Sequence, residues 1–330
     1  MMERLAVYGI GNAIMDIQMQ ISEEEFADLS LTKGTMQLVT PEEQRGLLKK
    51  LIRHELNHAC GGSAANTIIA IRQLGGDVAY GCLVGEDDIG KDYHSQMSGI
   101  GVHTHVDPVP SAHTGTCLIF ITPDAERTMN TSLGVSAAIS PEHVSQECIE
   151  KAEWLYIEGY LLASPSGKDA ALKAAELAKQ KGTKVALTFS DPFIVNGCRE
   201  ALDAVIPFCD LIFANELESQ SFSGFIEPDE VFQQMCASAP NVVMTMHDQG
   251  VRVFFEGHES FTPAIKVNAV DSTGAGDMFA GAFLYGITHG LNAEESSKLA
   301  CFMAGKIVAQ LGPRFADGID SIEGLEELLP

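Results

Sequence analysis

The run Asp271-Ser272-Thr273-Gly274-Ala275-Gly276-Asp277-Met278-Phe279-Ala280-Gly281-Ala282-Phe283 carries the strongest chemical signal in the chain. A Gly-Ala-Gly turn lets backbone N–H groups approach a ligand without Cβ obstruction, and the small and apolar residues after Asp277 read as an amphipathic helix. Gly274, Ala275 and Gly276 therefore read as an anion cradle at a helix N-terminus. Asp277 falls in the first helical turn, where the helix dipole holds a carboxylate ionised. Beside a bound phosphate it could take a proton from an attacking hydroxyl. A glycine-rich strand-to-helix turn with an N-capping Asp has the same spelling and no chemistry.

A second cluster, Gly61-Gly62-Ser63-Ala64-Ala65-Asn66, opens a helix on paired glycines and puts Asn66 one turn in, where its amide offers both donor and acceptor to a polyol. A third, Gly11-Asn12-Ala13-Ile14-Met15-Asp16, follows the first strand-like run. In a parallel sheet all three would lie at the carboxyl ends of strands, where doubly wound folds bind ligands. Taken singly, Asn66 and Asp16 also read as caps.

Three other motifs fail on their context. His54-Glu55-Leu56-Asn57-His58 has the H-E-x-x-H spelling of a zinc site, but Cys60-Gly61-Gly62 would break the helix that spelling requires, and Leu56, His58 and Cys60 alternate like a strand. Gly85 to Asp92 has Walker A spacing, yet Asp92 stands at the magnesium-ligand position and three more acids would repel a triphosphate. Gly9-Ile10-Gly11 lacks the third glycine of a dinucleotide fingerprint, with Ile14 in its place.

The elements that must position these residues alternate. Short apolar runs at Leu5 to Ile10, Val78 to Val84, Trp154 to Tyr160, Lys184 to Phe189, Leu211 to Ala214 and Asn241 to Met246 are interleaved with helical patterns at Ser63 to Leu74 and Lys168 to Gln180. That rhythm predicts an α/β fold with a doubly wound, mostly parallel central sheet. Asp16 to Ile21, Thr35 to Val39, Thr116 to Thr122 and Arg127 to Thr131 instead alternate polar and apolar residues, which predicts a small sheet with one wet face. The expectation is one domain over 1–330 with a β-sheet lid inserted at about 14–40 and 113–132.

With 330 residues, 45% hydrophobic and 20% charged, the chain is core-building rather than disordered. Its net charge of −24 argues against nucleic acid and anionic membranes as partners. No apolar run is long enough to span a bilayer, and Met1-Met2-Glu3-Arg4 leads into a strand rather than a signal peptide, so a cytoplasmic location is expected. The eight scattered cysteines, without a Cys-x-x-Cys, read as reduced thiols.

Together, Gly61 to Asn66 and Asp271 to Asp277 resemble the two signatures of the ribokinase-like (PfkB) family of carbohydrate and nucleoside kinases. The stretches Gly9 to Ile17, Glu158-Gly159-Tyr160, Phe189 to Phe193 and Leu211 to Glu218 are similar to its adenosine kinase branch. The resemblance implies Asp277 as catalytic base and Gly274, Ala275 and Gly276 as anion hole. It also implies Asn12, Asp16, Gly62 and Asn66 as the sugar site, with Asp16 holding two hydroxyls. Asn215-x-x-Glu218 would lie near the triphosphate and hydrated magnesium, Thr245 and Gly250 in the nucleotide element, and Arg127 as a lid cation reaching the phosphates; a solvated hairpin arginine is the alternative for Arg127.

Two positions depart from that pattern, His247 where the nucleotide element has a glycine and Leu161 where adenosine kinases carry an aromatic that stacks on the base. The implied activity is transfer of the ATP γ-phosphoryl group to a primary hydroxyl, with Mg²⁺ as cofactor and a monovalent cation such as K⁺ compatible with it. The small-molecule acceptor is a nucleoside such as adenosine or, alternatively, a free sugar, and the enzyme would be a monomer or homodimer. A non-catalytic ligand-binding relative is the remaining alternative.

Overall fold

Continuously apolar strands such as Val185-Ala186-Leu187 need cover on both faces, and the fold supplies it. The computed structural model describes residues 4–51, 54–105, 108–124, 126–316 and 318–330; the very start of the chain, 1–3, lies outside them. Nine strands form one sheet in the spatial order His258–Pro263, Gly250–Phe255, Val242–Thr245, Leu211–Asn215, Lys184–Thr188, Ala152–Glu158, Leu5–Ile10, Val78–Gly81 and His103–Thr104. Only the first two named run antiparallel to their neighbours.

One face is covered by the helices Ser63–Gln73, Ala275–Thr288 and Ala293–Val308, which bury Ile68, Phe283 and Leu299 against Val7, Trp154 and Phe213. The other face is covered by Pro165–Lys181, Arg199–Val205 and Pro228–Cys236, with Ala171, Leu202 and Phe232 against Leu155, Leu187 and Met244. Burying one such large apolar side chain stabilises the fold by about 1.5–3 kcal/mol. The sheet is doubly wound, as its apolar strands predict.

Strand Leu5–Ile10 pairs with Val78–Gly81 on one side and Ala152–Glu158 on the other. The chain winds outward in opposite directions from these two neighbours, so a crevice opens at the carboxyl ends of Leu5–Ile10 and Ala152–Glu158. Asn12 and Glu158 stand at its two sides.

The lid is a five-stranded sheet in the order Met36–Leu38, Arg127–Ser132, Gly115–Ile121, Ile14–Gln20 and Asn57–Gly61. Its first insertion is longer than the alternating pattern indicates, running on to Gly61 and carrying helices Glu23–Leu29 and Pro41–Lys50. The sheet has one more open face, as the alternation predicts, but not all the polar positions lie on it. Thr116, Thr128 and Asn130 are buried, and the Gln44 amide donates to the carbonyls of Thr116 (2.9 Å) and Asn130 (2.8 Å) while accepting from the Thr116 hydroxyl (2.7 Å). The partly open face, bearing Asp16, Met129 and Thr131, is the opposite one.

His58 lies in strand Asn57–Gly61, and His54 outside any helix contacts Glu25 at 2.8 Å. Among the described residues no group of three or more His, Cys, Asp or Glu is placed to hold a metal ion. Asp87 of the acidic Gly85 loop caps the helix Asp88–Ile100, accepting from Gly90 N–H. All eight cysteines are free thiols, and no helix among the described residues is long and apolar enough to cross a membrane.

Candidate active site

The helix Ala275–Thr288 starts at Gly274, whose φ of 75° is left-handed, and Asp277 sits in its first turn. One turn further on, a Cβ at Gly281 would lie 2.6 Å from the Ala70 Cβ and 2.7 Å from the Thr67 carbonyl oxygen. Glycine there lets the two glycine-led helices touch. The contact carries Asp277 to the start of the partner helix, where Oδ1 accepts from Ser63 Oγ at 2.6 Å and Oδ2 from Asn66 Nδ2 at 3.1 Å. Burial pushes the Asp277 carboxyl up to about 6, against the lowering effect of these two bonds. The dipole reading is corrected accordingly: a helix terminus contributes roughly 0.3–1 kcal/mol, less than this desolvation.

Asn66 is buried, and its Oδ1 has no partner among the described residues, leaving an acceptor for an incoming hydroxyl. Gly62 precedes this helix with φ 109°, and a Cβ there would lie 2.1 Å from the Asn12 carbonyl oxygen. Asn12 in turn donates through Nδ2 to Glu158 Oε1 at 2.9 Å, and Glu158 Oε2 accepts from Ala64 N–H at 2.9 Å. Burial pushes Glu158 up to about 7.

Asp16 packs against Gly61, where a Cβ would come within 2.8 Å of its Oδ2. Burial raises its carboxyl to about 6, while Arg314 and Arg127 pull it down and Asp277 pushes it up. Asp16 shares its sheet face with Ile14, Cys117 and Ile119, a small apolar cluster extended by Ile121, Met129 and Leu133. Arg127 reaches across from the lid to pair with Asp271 and is buried with it, so it is neither a solvated hairpin cation nor a free one; its Nε and Nη2 have no partner among the described residues. Asp271 also accepts from Thr273 N–H (3.0 Å) and Gly312 N–H (2.9 Å). Burial opposes its ionisation, but these bonds and the Arg127 charge hold its carboxyl below the usual range.

In front of Asp277 a cleft of about 290 Å³ is lined by Ser63, Tyr160, Thr188, Ser190, Asn215, Glu218, Thr245, Gly274, Gly276 and Phe279, among others. Asn215 and Glu218 form a reciprocal cap on helix Glu216–Ser223. Both Glu218 oxygens accept from Asn215, from its N–H at 2.9 Å and its Nδ2 at 2.7 Å. Glu218 is therefore no surface acid: burial first, then the charges of Asp191 and Asp277, push it up to about 7.

Not every candidate lies in the cleft. Ala275 N–H is engaged by the Ser272 carbonyl at 3.2 Å, and Ala275 does not line the cavity, so the anion cradle narrows to Gly274 and Gly276. Gly250 is set back from it, its place explained by strand packing: a Cβ would come 2.1 Å from the Thr262 carbonyl oxygen. His247 takes the φ of 49° that a glycine would adopt freely. Leu161 is buried in the core, while its neighbour Tyr160 lines the cleft; the stacking position inferred for Leu161 is corrected to a packing one.

Among the residues of the site that carry no motif role of their own are Ser63, Glu158, Tyr160 and Ser190. Ser63 stands inside the Gly-Gly-Ser run, which is its sequence signal. Glu158 ends an apolar strand, where an acid must be buried or paired.

A doubly wound sheet with a carboxylate at a glycine-led helix start, facing a polar cleft at the strand ends, is an arrangement suited to a phosphotransferase acting on a hydroxyl group. Residues 34–318 match the model of the pfkB family carbohydrate kinases, and the chain belongs to that family. It is 29% identical to the adenosine kinase of Saccharomyces cerevisiae over 93% of this chain and 95% of that protein. Among solved structures, it is similar to a probable sugar kinase from Rhizobium etli (33% identity, TM-score 0.89, covering 99% of this chain and all 100% of that one). It is likewise similar to the adenosine kinase of Sinorhizobium meliloti (32%, TM-score 0.87, 96% and 97%). These relatives support the adenosine kinase branch, and a kinase of this family uses ATP as co-substrate.

Proposed function

We propose that the chain phosphorylates the primary hydroxyl of a ribose-containing nucleoside, adenosine being the first acceptor to test. The observation that carries this reading is the lid face on which Asp16, an acceptor for sugar hydroxyls, is flanked by the apolar side chains Ile14, Cys117, Ile119 and Met129. A free sugar presents polar groups on every edge, whereas a nucleoside adds a flat apolar base that needs such a wall. The adenosine kinases among the relatives support the same choice.

In this reading Asp16, Asn12 and Asn66 hold the sugar, and Asp277 removes the hydroxyl proton as the oxygen attacks the γ-phosphorus. The new P–O bond forms as the bond to the β-phosphate oxygen breaks, ADP leaves, and the proton stays on Asp277. Gly274 and Gly276 let the phosphoryl group approach the helix start, whose unpaired N–H groups and positive dipole end offset its charge. Arg127 keeps two donor nitrogens without a partner among the described residues, beside the same loop.

Glu218 suits Mg²⁺ in the cleft: its carboxyl is raised first by burial and then by the neighbouring charges of Asp191 and Asp277, and a cation would relieve that last repulsion. Bound there through its water shell, with Asn215 fixing the carboxylate, the cation would neutralise charge on the triphosphate. A coupled ATP-consumption assay over nucleosides and free sugars tests the reading. Adenosine should support turnover at a kcat/KM at least about a hundredfold above that of any free sugar, about 3 kcal/mol. The reverse order would hand the site to a free sugar.

A further inference from the structure

Ser190 follows strand Lys184–Thr188 and adopts φ 68°, a left-handed backbone that glycine takes freely and serine takes under strain. Ser190 lines the cleft together with Thr188, Asn215 and Glu218. Its Oγ is buried and has no hydrogen-bond partner among the described residues. A hydroxyl carries one hydrogen to donate, and an unmet buried donor is rare in a settled fold.

None of the neighbouring acceptors among the described residues reaches it, and most already accept elsewhere. Both Glu218 oxygens accept from Asn215, Asp191 accepts from Phe193 N–H at 2.7 Å, and Thr188 Oγ1 accepts from the backbone N–H of Ser190 itself at 3.3 Å. A bound ligand can supply the missing acceptor. In the sheet, Lys184–Thr188 lies between Leu211–Asn215, which ends at Asn215, and Ala152–Glu158, which ends at the sugar side of the crevice. A triphosphate running from Asn215 and Glu218 toward Asp277 would cross the cleft that Ser190 lines.

We infer that Ser190 is a nucleotide-positioning residue whose Oγ–H donates to a phosphate oxygen of the bound triphosphate, and that the left-handed turn exists to aim it there. The inference rests on the ATP-dependent kinase reading above and adds a residue to it.

Two variants test it, Ser190→Ala, which keeps the strain, and Ser190→Gly, which removes it. Both lose the hydroxyl. Steady-state kinetics should show the KM for ATP rising about tenfold in each, with the KM of the acceptor within about twofold of wild type. Titration with a non-hydrolysable ATP analogue should show the same loss of affinity, and Ser190→Gly should melt no lower than wild type. A purely structural serine would move the melting temperature and leave ATP affinity alone. If wild type turns over and both variants bind ATP within about twofold of it, the inference falls by itself. If wild type neither binds ATP nor transfers phosphate, the kinase reading falls and takes the inference with it.

Discussion

Glu158 and Asn12 join the two strands that flank the crevice, Oε1 accepting from Nδ2 at 2.9 Å, while the other Glu158 oxygen holds the first turn of the helix that presents Ser63 and Asn66. One buried carboxyl thus sets the positions of three groups around Asp277. Gly11 makes room for it, since a Cβ there would lie 2.4 Å from Glu158 Oε2.

The cost of burying Glu158 shows in the pH dependence of stability. Its folded-state value of about 7 lies above the ordinary 4.5 because burial favours the neutral form. The folded state therefore holds this proton more tightly than the unfolded chain, and its contribution is full at low pH and lost as pH rises from about 4.5 to about 7. Glu158→Gln cannot titrate. Denaturant unfolding at about pH 5 and pH 8 should show the variant losing less stability than wild type over that interval, by on the order of 2–3 kcal/mol. Equal losses would mean that the Glu158 carboxyl is not buried as described.

Asp277 titrates in the opposite functional sense. As the proposed base it would work only when deprotonated, so with its carboxyl raised to about 6 the acceptor kcat/KM should fall tenfold per pH unit below that point and level off above it. Asp277→Asn should lower kcat by roughly 10²- to 10⁴-fold with little change in acceptor binding. A variant that keeps more than about a tenth of wild-type kcat would remove Asp277 from the chemistry.

What the sequence shows of this arrangement is what depends on local spelling. The strands Lys184–Thr188 and Val242–Thr245 are legible because sheet burial on both faces demands unbroken apolar runs. Gly274 and Gly62 are legible because their backbones need φ of 75° and 109°. Arg127 is not, because its partner Asp271 is 144 residues away and nothing beside either residue records the pairing. The lid helices Glu23–Leu29 and Pro41–Lys50 had local signals in the capping boxes Ser22-x-x-Glu25 and Thr40-x-x-Glu43, which a reading based on strand alternation passes over. Leu161 misleads because one step along the chain beside Tyr160 separates the cleft from the core.

His247 offers a test of strain without function. Exposed and at φ 49°, it occupies the position where the family pattern has a glycine. Relieving a left-handed backbone returns roughly 1–2 kcal/mol, against roughly 0.5–1 kcal/mol of added chain entropy for glycine in the unfolded state. His247→Gly should therefore gain up to about 1 kcal/mol in denaturant unfolding, with ATP kinetics unchanged. A loss of stability would show that the imidazole makes a compensating contact.

The two glycines proposed as the phosphate cradle should separate fold from turnover. Gly274 has φ 75°, and a Cβ there would lie 2.4 Å from the Cβ of Pro313, so Gly274→Ala strains the backbone and collides with the loop that Asp271 anchors through Gly312. It should cost on the order of 1–3 kcal/mol of stability as well as activity. Gly276 has an ordinary helical backbone, and no atom of the described residues lies within 4 Å of where its Cβ would stand, so these residues leave room for a larger side chain there. Gly276→Ala and Gly276→Val should fold with melting temperatures within a few degrees of wild type, because alanine favours the helix and valine disfavours it only slightly. If the phosphoryl group approaches the helix start across Gly276, the methyl of alanine and the branched valine should lower kcat/KM for ATP progressively, valine by at least about a hundredfold, about 3 kcal/mol. Calorimetry and steady-state kinetics on the three variants together read out both effects. A Gly276→Val enzyme with wild-type turnover would place the transferring group elsewhere, and a Gly274→Ala protein of wild-type stability would show that the Pro313 loop moves aside.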